Sequence, residues 1–183
     1  SNAPPVPILI KSTISIEGWD LIRTEFIKSN LTFSPEFLRA ETALEDFANT
    51  KHFMMGGDDV GLWSGVYIKA MGNISISNAS VAELILTKYA RNSFLALKVA
   101  YFNELYDLCD QLEVDFETVR QYTIQDERIG ESHTMVTDDR GFGGHCFPKD
   151  TKAFATLGKH CGTPLTILEQ AIQYNIQIRK DNV

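Results

Sequence analysis

The sequence has no apolar run approaching the ~20 residues needed to cross a bilayer, so no membrane partner is expected. Its 183 residues include only three cysteines, Cys109, Cys146 and Cys161, an odd number at no framework spacing. That excludes a disulfide scaffold and fits reduced thiols in a cytoplasmic setting. Cys-x-x-Cys is missing, and the pairs His145-Cys146 and His160-Cys161 place side by side residues that rarely point at one ion, so no metal site is expected. Positive charge is in deficit: 17 Lys and Arg against 24 Asp and Glu give a net charge of −7. This argues against a nucleic-acid or anionic-membrane surface, though a local basic pocket could still hold a small anion. Internal repeats and low-complexity tracts are absent. So is any Gly-x-Gly-x-x-Gly, the turn that cradles a dinucleotide pyrophosphate. What remains is the composition of an ordinary globular chain, 44% hydrophobic and 22% charged, long enough to bury a core.

Ser1-Asn2-Ala3 reads as the remnant of an expression tag and carries no fold information. From there, strand and helix patterns alternate. Val6 to Ile10 is a short apolar run ending in polar Lys11-Ser12-Thr13, as for a buried strand. Ile16 to Lys28 has Trp19, Ile22 and Phe26 at helical spacing. Leu31 to Ser34 is a second strand, closed by Pro35, and His52 to Met55 a third, ended by Gly56-Gly57. Asp58 to Ala70 opens with acidic residues suited to a helix N-terminus, and Asn73 to Ile76 is a fourth strand. Such alternation predicts a mainly parallel sheet. The pattern changes after Ser77. Asn78 or Ser80 can cap a helix, and the following residues to Leu112 contain neither Gly nor Pro. Their apolar residues occupy nearly every side, which predicts one long helix buried on several faces, one of them against a second copy of the chain. Shorter helices are expected over 115–125, 150–160 and 164–180, with an irregular loop over 126–149.

The chemistry concentrates in Gly141-Phe142-Gly143-Gly144-His145-Cys146-Phe147-Pro148-Lys149-Asp150. Glycines let a backbone approach closely and reach positive φ. A cation such as Lys149 favours a thiolate, the nucleophilic form of cysteine, and an acid such as Asp150 can handle a proton. On composition alone, a Gly/Pro turn beside a buried cysteine is an equal reading. The segment resembles the cysteine motif of the UDP-glucose dehydrogenases, within the UDP-glucose/GDP-mannose dehydrogenase family, departing from it at His145.

Four other stretches carry the same resemblance. Lys11-Ser12-Thr13 is similar to a strand end whose threonine helps place a water. Ser34-Pro35-Glu36-Phe37-Leu38-Arg39 is similar to a substrate loop with a working glutamate. Where the family continues with Glu-Gly, this chain has Ala40-Glu41, losing an acidic contact. Lys88-Tyr89-Ala90-Arg91-Asn92 resembles a segment whose lysine and asparagine hold an oxyanion; at i and i+4, Lys88 and Asn92 share one helix face. Arg128-Ile129-Gly130-x-Ser132-His133 resembles the loop that folds over the sugar nucleotide.

The resemblance implies an α/β fold: the C-terminal part of a Rossmann-like parallel sheet (residues 4–77), then an all-helical central, dimerising domain built on the long helix (78–183). It implies the middle of a longer enzyme, with the glycine fingerprint upstream and a nucleotide-sugar domain downstream, and a fragment inactive alone. The implied reaction oxidises the C6 alcohol of a UDP-hexose to the uronate with NAD, through a thioester on Cys146. Lys88 and Asn92 would stabilise the oxyanion; Glu36, Thr13 and Asp150 would serve the hydrolytic water. Thr13, Glu36 and Lys149 would face NAD. Phe37, Leu38, Arg39, Lys88, Asn92 and Gly143 would contact the UDP-sugar. A homodimer is implied. Alternatives are a GDP-mannose or UDP-N-acetylmannosamine dehydrogenase, the latter sharing His145, or a non-catalytic dimerisation module.

Overall fold

The computed structural model describes residues 4–39 and 41–180. The tag-like Ser1-Asn2-Ala3 and the departure at Ala40 lie outside the described residues. Two compact units meet within one helix: the first runs to Lys88 and the second starts at Tyr89.

In the first unit the elements are β1 (Val6–Ile10), α1 (Ile16–Glu25), β2 (Ser29–Phe33), α2 (Ala43–Asn49), β3 (His52–Gly57), α3 (Val60–Met71) and β4 (Ser75–Asn78). The sheet order is β1-β2-β3-β4. Its two central strands carry the core residues Leu31, Phe33, Phe53 and Met55, all buried. The expected parallel pairing holds for β1 with β2 and for β3 with β4. Between them, β2 and β3 are antiparallel, over Thr32–Gly57 and Phe33–Gly56.

Glycine makes that junction possible. A Cβ on Gly57, whose φ is +119°, would lie 2.2 Å from the Leu31 carbonyl oxygen, and one on Gly56 2.2 Å from that of Ala79. The pair therefore extends β3 into contact with β2 instead of ending it, as the sequence pattern suggested. Asp58 departs from expectation too. Rather than opening α3, it accepts a hydrogen bond from the Leu31 amide at 2.9 Å and faces Arg23, tying β3 to β2 and α1. The short α2 lacks an apolar stripe long enough to betray it. It is anchored instead by Asp46, which accepts from Thr42 Oγ1 and from Arg39.

The long helix α4 spans Val81–Gln111. Ser80 supplies its cap: its Oγ accepts from the Glu83 amide at 3.3 Å while the Glu83 carboxylate takes the Ser80 amide at 2.7 Å, a reciprocal capping box. The Ser80 hydroxyl, which also donates to the Glu83 carboxylate at 2.7 Å, and the Ser80 amide hold that carboxyl below the usual range. The helix stops where Glu113 turns to φ +54°.

After Lys88 come α5 (Phe116–Ile124), α6 (Cys146–His160) and α7 (Thr166–Ile178). Helix α6 begins at Cys146, four residues ahead of its expected start at 150. Pro148 is no obstacle there, because amides in a first helical turn have no intrahelical acceptor to lose. Thr151 Oγ1 donates back to the Phe147 carbonyl at 2.7 Å, within that first turn. A core of Ala96, Val99, Ala100 and Phe142, flanked by Phe147, Ala171, Ile172 and Tyr174, gathers α4, α6 and α7 around the glycine-rich segment.

Candidate active site

In the first unit the site residues converge on Glu36, in the loop after β2. Lys11, at the end of β1, places Nζ 3.3 Å from Glu36 Oε1 and 5.4 Å from the ring centroid of Tyr67. Tyr67 stacks edge-on against Phe53, centroids 4.9 Å apart, so the lysine rests on a packed aromatic wall. Lys88 is buried, 8% exposed, and donates to the Glu36 backbone carbonyl at 2.8 Å. A buried ammonium is tolerated only when hydrogen-bonded, and this carbonyl meets part of that need. Thr13 is half-buried in the segment between β1 and α1, and Phe37 and Leu38 are half-buried beside Glu36. The Arg39 guanidinium is exposed but engaged, with Nη2 2.6 Å from Asp46 Oδ1. These bonds hold the Asp46 carboxyl far below the usual carboxylate range.

In the second unit Cys146 is exposed as the first residue of α6. One turn on, Asp150 is fully buried. Its Oδ2 accepts from Asn92 Nδ2 at 2.6 Å, and its Oδ1 is paired with the Lys149 ammonium. The structure thus brings together Asn92, Asp150 and Lys149 at the head of the helix that bears the thiol. Lys88 and Asn92 sit one turn apart on α4, as expected.

The loop before Cys146 is pinned from behind. Asn175 on α7 accepts from the Phe142 amide at 2.6 Å and donates to the Phe142 carbonyl at 2.9 Å. Asn103 on α4 accepts from the Gly141 amide at 3.0 Å and from Arg140 Nε at 2.9 Å. Arg140 continues to Asp107, which also accepts from the Tyr174 hydroxyl at 2.7 Å. Burial, with Asp107 beside it, pushes that phenol upward. The glycines answer to these neighbours: a Cβ on Gly141 would meet Asn175 Oδ1 at 2.2 Å, and one on Gly143 would meet Arg179 Nη1 at 2.4 Å. The side of Gly143 where a side chain would stand therefore faces a protein guanidinium. The 128–133 loop is fixed by Lys98, which donates to the carbonyls of Ile129 at 2.7 Å and Gly130 at 2.9 Å; burial lowers the pKa of this ammonium. His133, at φ +64°, lays its ring 5.5 Å from that of Phe147, on the first turn of α6.

Lys98, Asn103, Arg140 and Asn175 were not singled out in the sequence, and Lys11 entered only as part of Lys11-Ser12-Thr13, with no role of its own. The only local signal was polarity at apolar-patterned helix positions, clearest for Asn103 and Asn175. Among the described residues, no three His, Cys, Asp or Glu side chains gather as a metal set, and no helix is long and apolar enough to cross a membrane. A cleft of about 450 Å³ in the first unit, lined by Trp19, Arg23, Asp58 and Ile85 among others, includes none of the residues expected to act.

A mixed α/β unit followed by a helical unit, with a thiol heading a helix behind a glycine loop, defines the class. The family description "UDP-glucose/GDP-mannose dehydrogenase family, central domain" matches residues 80–177. The chain belongs to the UDP-glucose/GDP-mannose dehydrogenase family. It is 33% identical over 186 aligned residues to a UDP-glucose 6-dehydrogenase of Rickettsia typhi, covering 96% of this chain and 42% of that protein. Among solved structures, a UDP-glucose dehydrogenase from the archaeon Pyrobaculum islandicum superposes with TM-score 0.81 at 33% identity, covering 93% of this chain and 41% of that one. A UDP-D-ManNAc dehydrogenase from Pyrococcus horikoshii shares the fold, with TM-score 0.76 at 19% identity, over 93% of this chain and 41% of that one. The chain spans about two fifths of the length of these relatives.

Proposed function

We propose that this chain is the central part of an NAD-dependent UDP-glucose dehydrogenase acting in the cytoplasm, oxidising the C6 alcohol of UDP-glucose to the uronate. The observation that carries the reading is the pairing of exposed Cys146 at the head of α6 with buried Asp150 one turn behind it, held by Asn92. The relatives at 33% identity are UDP-glucose dehydrogenases by name, and the Phe147-Pro148-Lys149-Asp150 ending favours UDP-glucose over the other sugar nucleotides.

No Gly-x-Gly-x-x-Gly occurs in the 183 residues, so these residues do not build the pyrophosphate turn of a dinucleotide site. NAD, when bound, supplies the acceptor for one hydride, so the two that alcohol-to-acid oxidation releases go to two NAD molecules bound in succession. Thr13, Glu36 and Lys149 are the residues of this chain assigned to its side of the reaction. Cys146 Sγ adds to the aldehyde carbon, and oxidation of that adduct leaves a thioester. Lys88 and Asn92 offer N–H donors to the carbonyl oxygen as it gains negative charge. Glu36 and Asp150, with Thr13, orient and deprotonate the water that releases the acid. Phe37, Leu38, Arg39 and Gly143 line the sugar nucleotide.

Cys146→Ala tests the reading. In the enzyme that carries this chain it should abolish uronate formation while nucleotide binding persists; uronate made at the unaltered rate would refute the nucleophile. We also assign a homodimer contact to α4, where Phe94, Tyr101 and Leu108 recur every seven residues and remain 66%, 59% and 54% exposed.

A further inference from the structure

Buried asparagine in a helix is a poor choice unless it is needed. It forms helix less readily than the aliphatic residues, and its amide must find partners when water is removed. Asn175 nevertheless lies in the last turn of α7 at 7% exposure. Its side chain bridges the two backbone groups of Phe142, accepting from the N–H and donating to the C=O. An amide is the one short neutral side chain that offers a donor and an acceptor in the geometry of a second peptide. Gly141, at φ +54°, is where the backbone gives way to admit it, since any Cβ there would strike Asn175 Oδ1. The Phe142 side chain is itself packed among Ala96, Val99 and Ala100. Three residues separate this doubly held residue from Cys146, and one of them, Gly144 at φ +73°, has open space around it.

We propose that Asn175 is a positioning residue for Cys146: its clamp on the Phe142 backbone fixes the glycine loop, and through it the first turn of α6 on which the thiol sits. The proposal rests on the reading of Cys146 as the nucleophile. A cysteine in a formed first helical turn is more reactive than one in a loose loop, so releasing the clamp should slow its chemistry without unfolding the helical unit.

The test compares the unaltered 183-residue chain with Asn175→Ala and with the isosteric Asn175→Asp. The aspartate keeps an acceptor for the Phe142 N–H and loses the donor to the Phe142 carbonyl. Amide exchange over residues 140–147 is followed by mass spectrometry, beside the rates at which iodoacetamide modifies Cys146 and Cys161. Cys161, exposed at the C-terminal end of α6, is the internal reference: loss of global stability moves both thiols, whereas release of the loop moves only Cys146. Exchange over 140–147 should accelerate about tenfold or more in Asn175→Ala. The Cys146-to-Cys161 rate ratio should fall at least threefold, with a smaller fall for Asn175→Asp. If the alanine variant does not fold, the aspartate variant carries the test alone. Unchanged exchange would mean that there is no clamp. Faster exchange with an unchanged ratio would mean a clamp that does not position the thiol. Either result overturns the proposal. Failure of the nucleophile reading shows elsewhere, as turnover retained by Cys146→Ala, and leaves the thiol ratio untouched.

Discussion

Replacing Asp150 by asparagine separates what this side chain does for the fold from the proton-handling role proposed for it in the reaction. Asp150 is fully buried, with one oxygen on Asn92 Nδ2 at 2.6 Å and the other on the Lys149 ammonium. Asparagine keeps the volume and one acceptor for Asn92. It removes a buried charge, whose desolvation opposes folding, together with the ion pair that offsets it. The Lys149 side chain is 40% exposed, so water takes over much of its solvation. Removing one partner of a fully buried pair costs about 3–5 kcal/mol because a charge is left unpaired; with the Lys149 charge open to water that penalty is largely avoided, the remaining terms nearly cancel, and the net change should stay within about 2 kcal/mol. That corresponds to a thermal midpoint moved by at most about 8 °C. Asp150→Ala instead leaves a cavity and an unpaired Asn92 amide, costing about 2–4 kcal/mol. Turnover should respond on another scale, since removing a proton-handling group costs about 10²–10⁴-fold, or roughly 3–5 kcal/mol of barrier. Thermal unfolding of both variants, beside intact-mass spectra after one turnover, checks this. The asparagine variant should stay folded and accumulate a hexuronyl-nucleotide adduct on Cys146. An asparagine variant as unstable as the alanine one would refute the cancellation; wild-type turnover without adduct would refute the proton role.

Gly56→Ala should destabilise the first unit by about 1–3 kcal/mol, because the new Cβ meets a backbone oxygen, that of Ala79, at 2.2 Å; urea titration reads this directly. Acid should weaken the second unit through Glu117. Hydrogen bonds from Arg120 and Gln121 lower its carboxyl pKa to about 2. Because the folded value is depressed, its stabilisation is present above the unfolded value near 4.5 and is lost as pH falls from there through about 2. Arg120, 3% exposed, then keeps Thr134 Oγ1 at 3.0 Å but no longer faces a charge on Glu117. Glu117→Gln should flatten the unfolding-midpoint-versus-pH curve across that window; an unaltered slope would remove the claim. Light scattering should return twice the chain mass for the unaltered protein and a smaller mass for Tyr101→Glu, and a monomer in both would end the α4 dimer.

The strands and α4 were legible in the sequence because each is a local consequence of side-chain pattern. Val6–Ile10 is an apolar run stopped by polar residues, although as an edge strand it is exposed to half-buried rather than buried as expected, and Val81–Gln111 is a stretch with no Gly or Pro opened by Ser80 and Glu83. The ten residues from Gly141 to Asp150 likewise carried the family resemblance, because glycines, cysteine and acid are chemically distinctive in that order. Where α6 begins was not legible: Cys146-Phe147-Pro148 suits a loop and a first helical turn equally, since neither asks Pro148 for an amide. Packing of Phe147 against the α4 and α7 core chose the helix. The antiparallel junction of β2 with β3 depends on how closely the two backbones approach at Gly57, a distance no residue pattern encodes. The clamp on the glycine loop was equally hidden. Asn175 lies 33 residues beyond Phe142 and Asn103 lies 38 before Gly141. Patterns within one element show which face of a helix turns inward, but a buried amide's partner across such separations is set only when the helices pack.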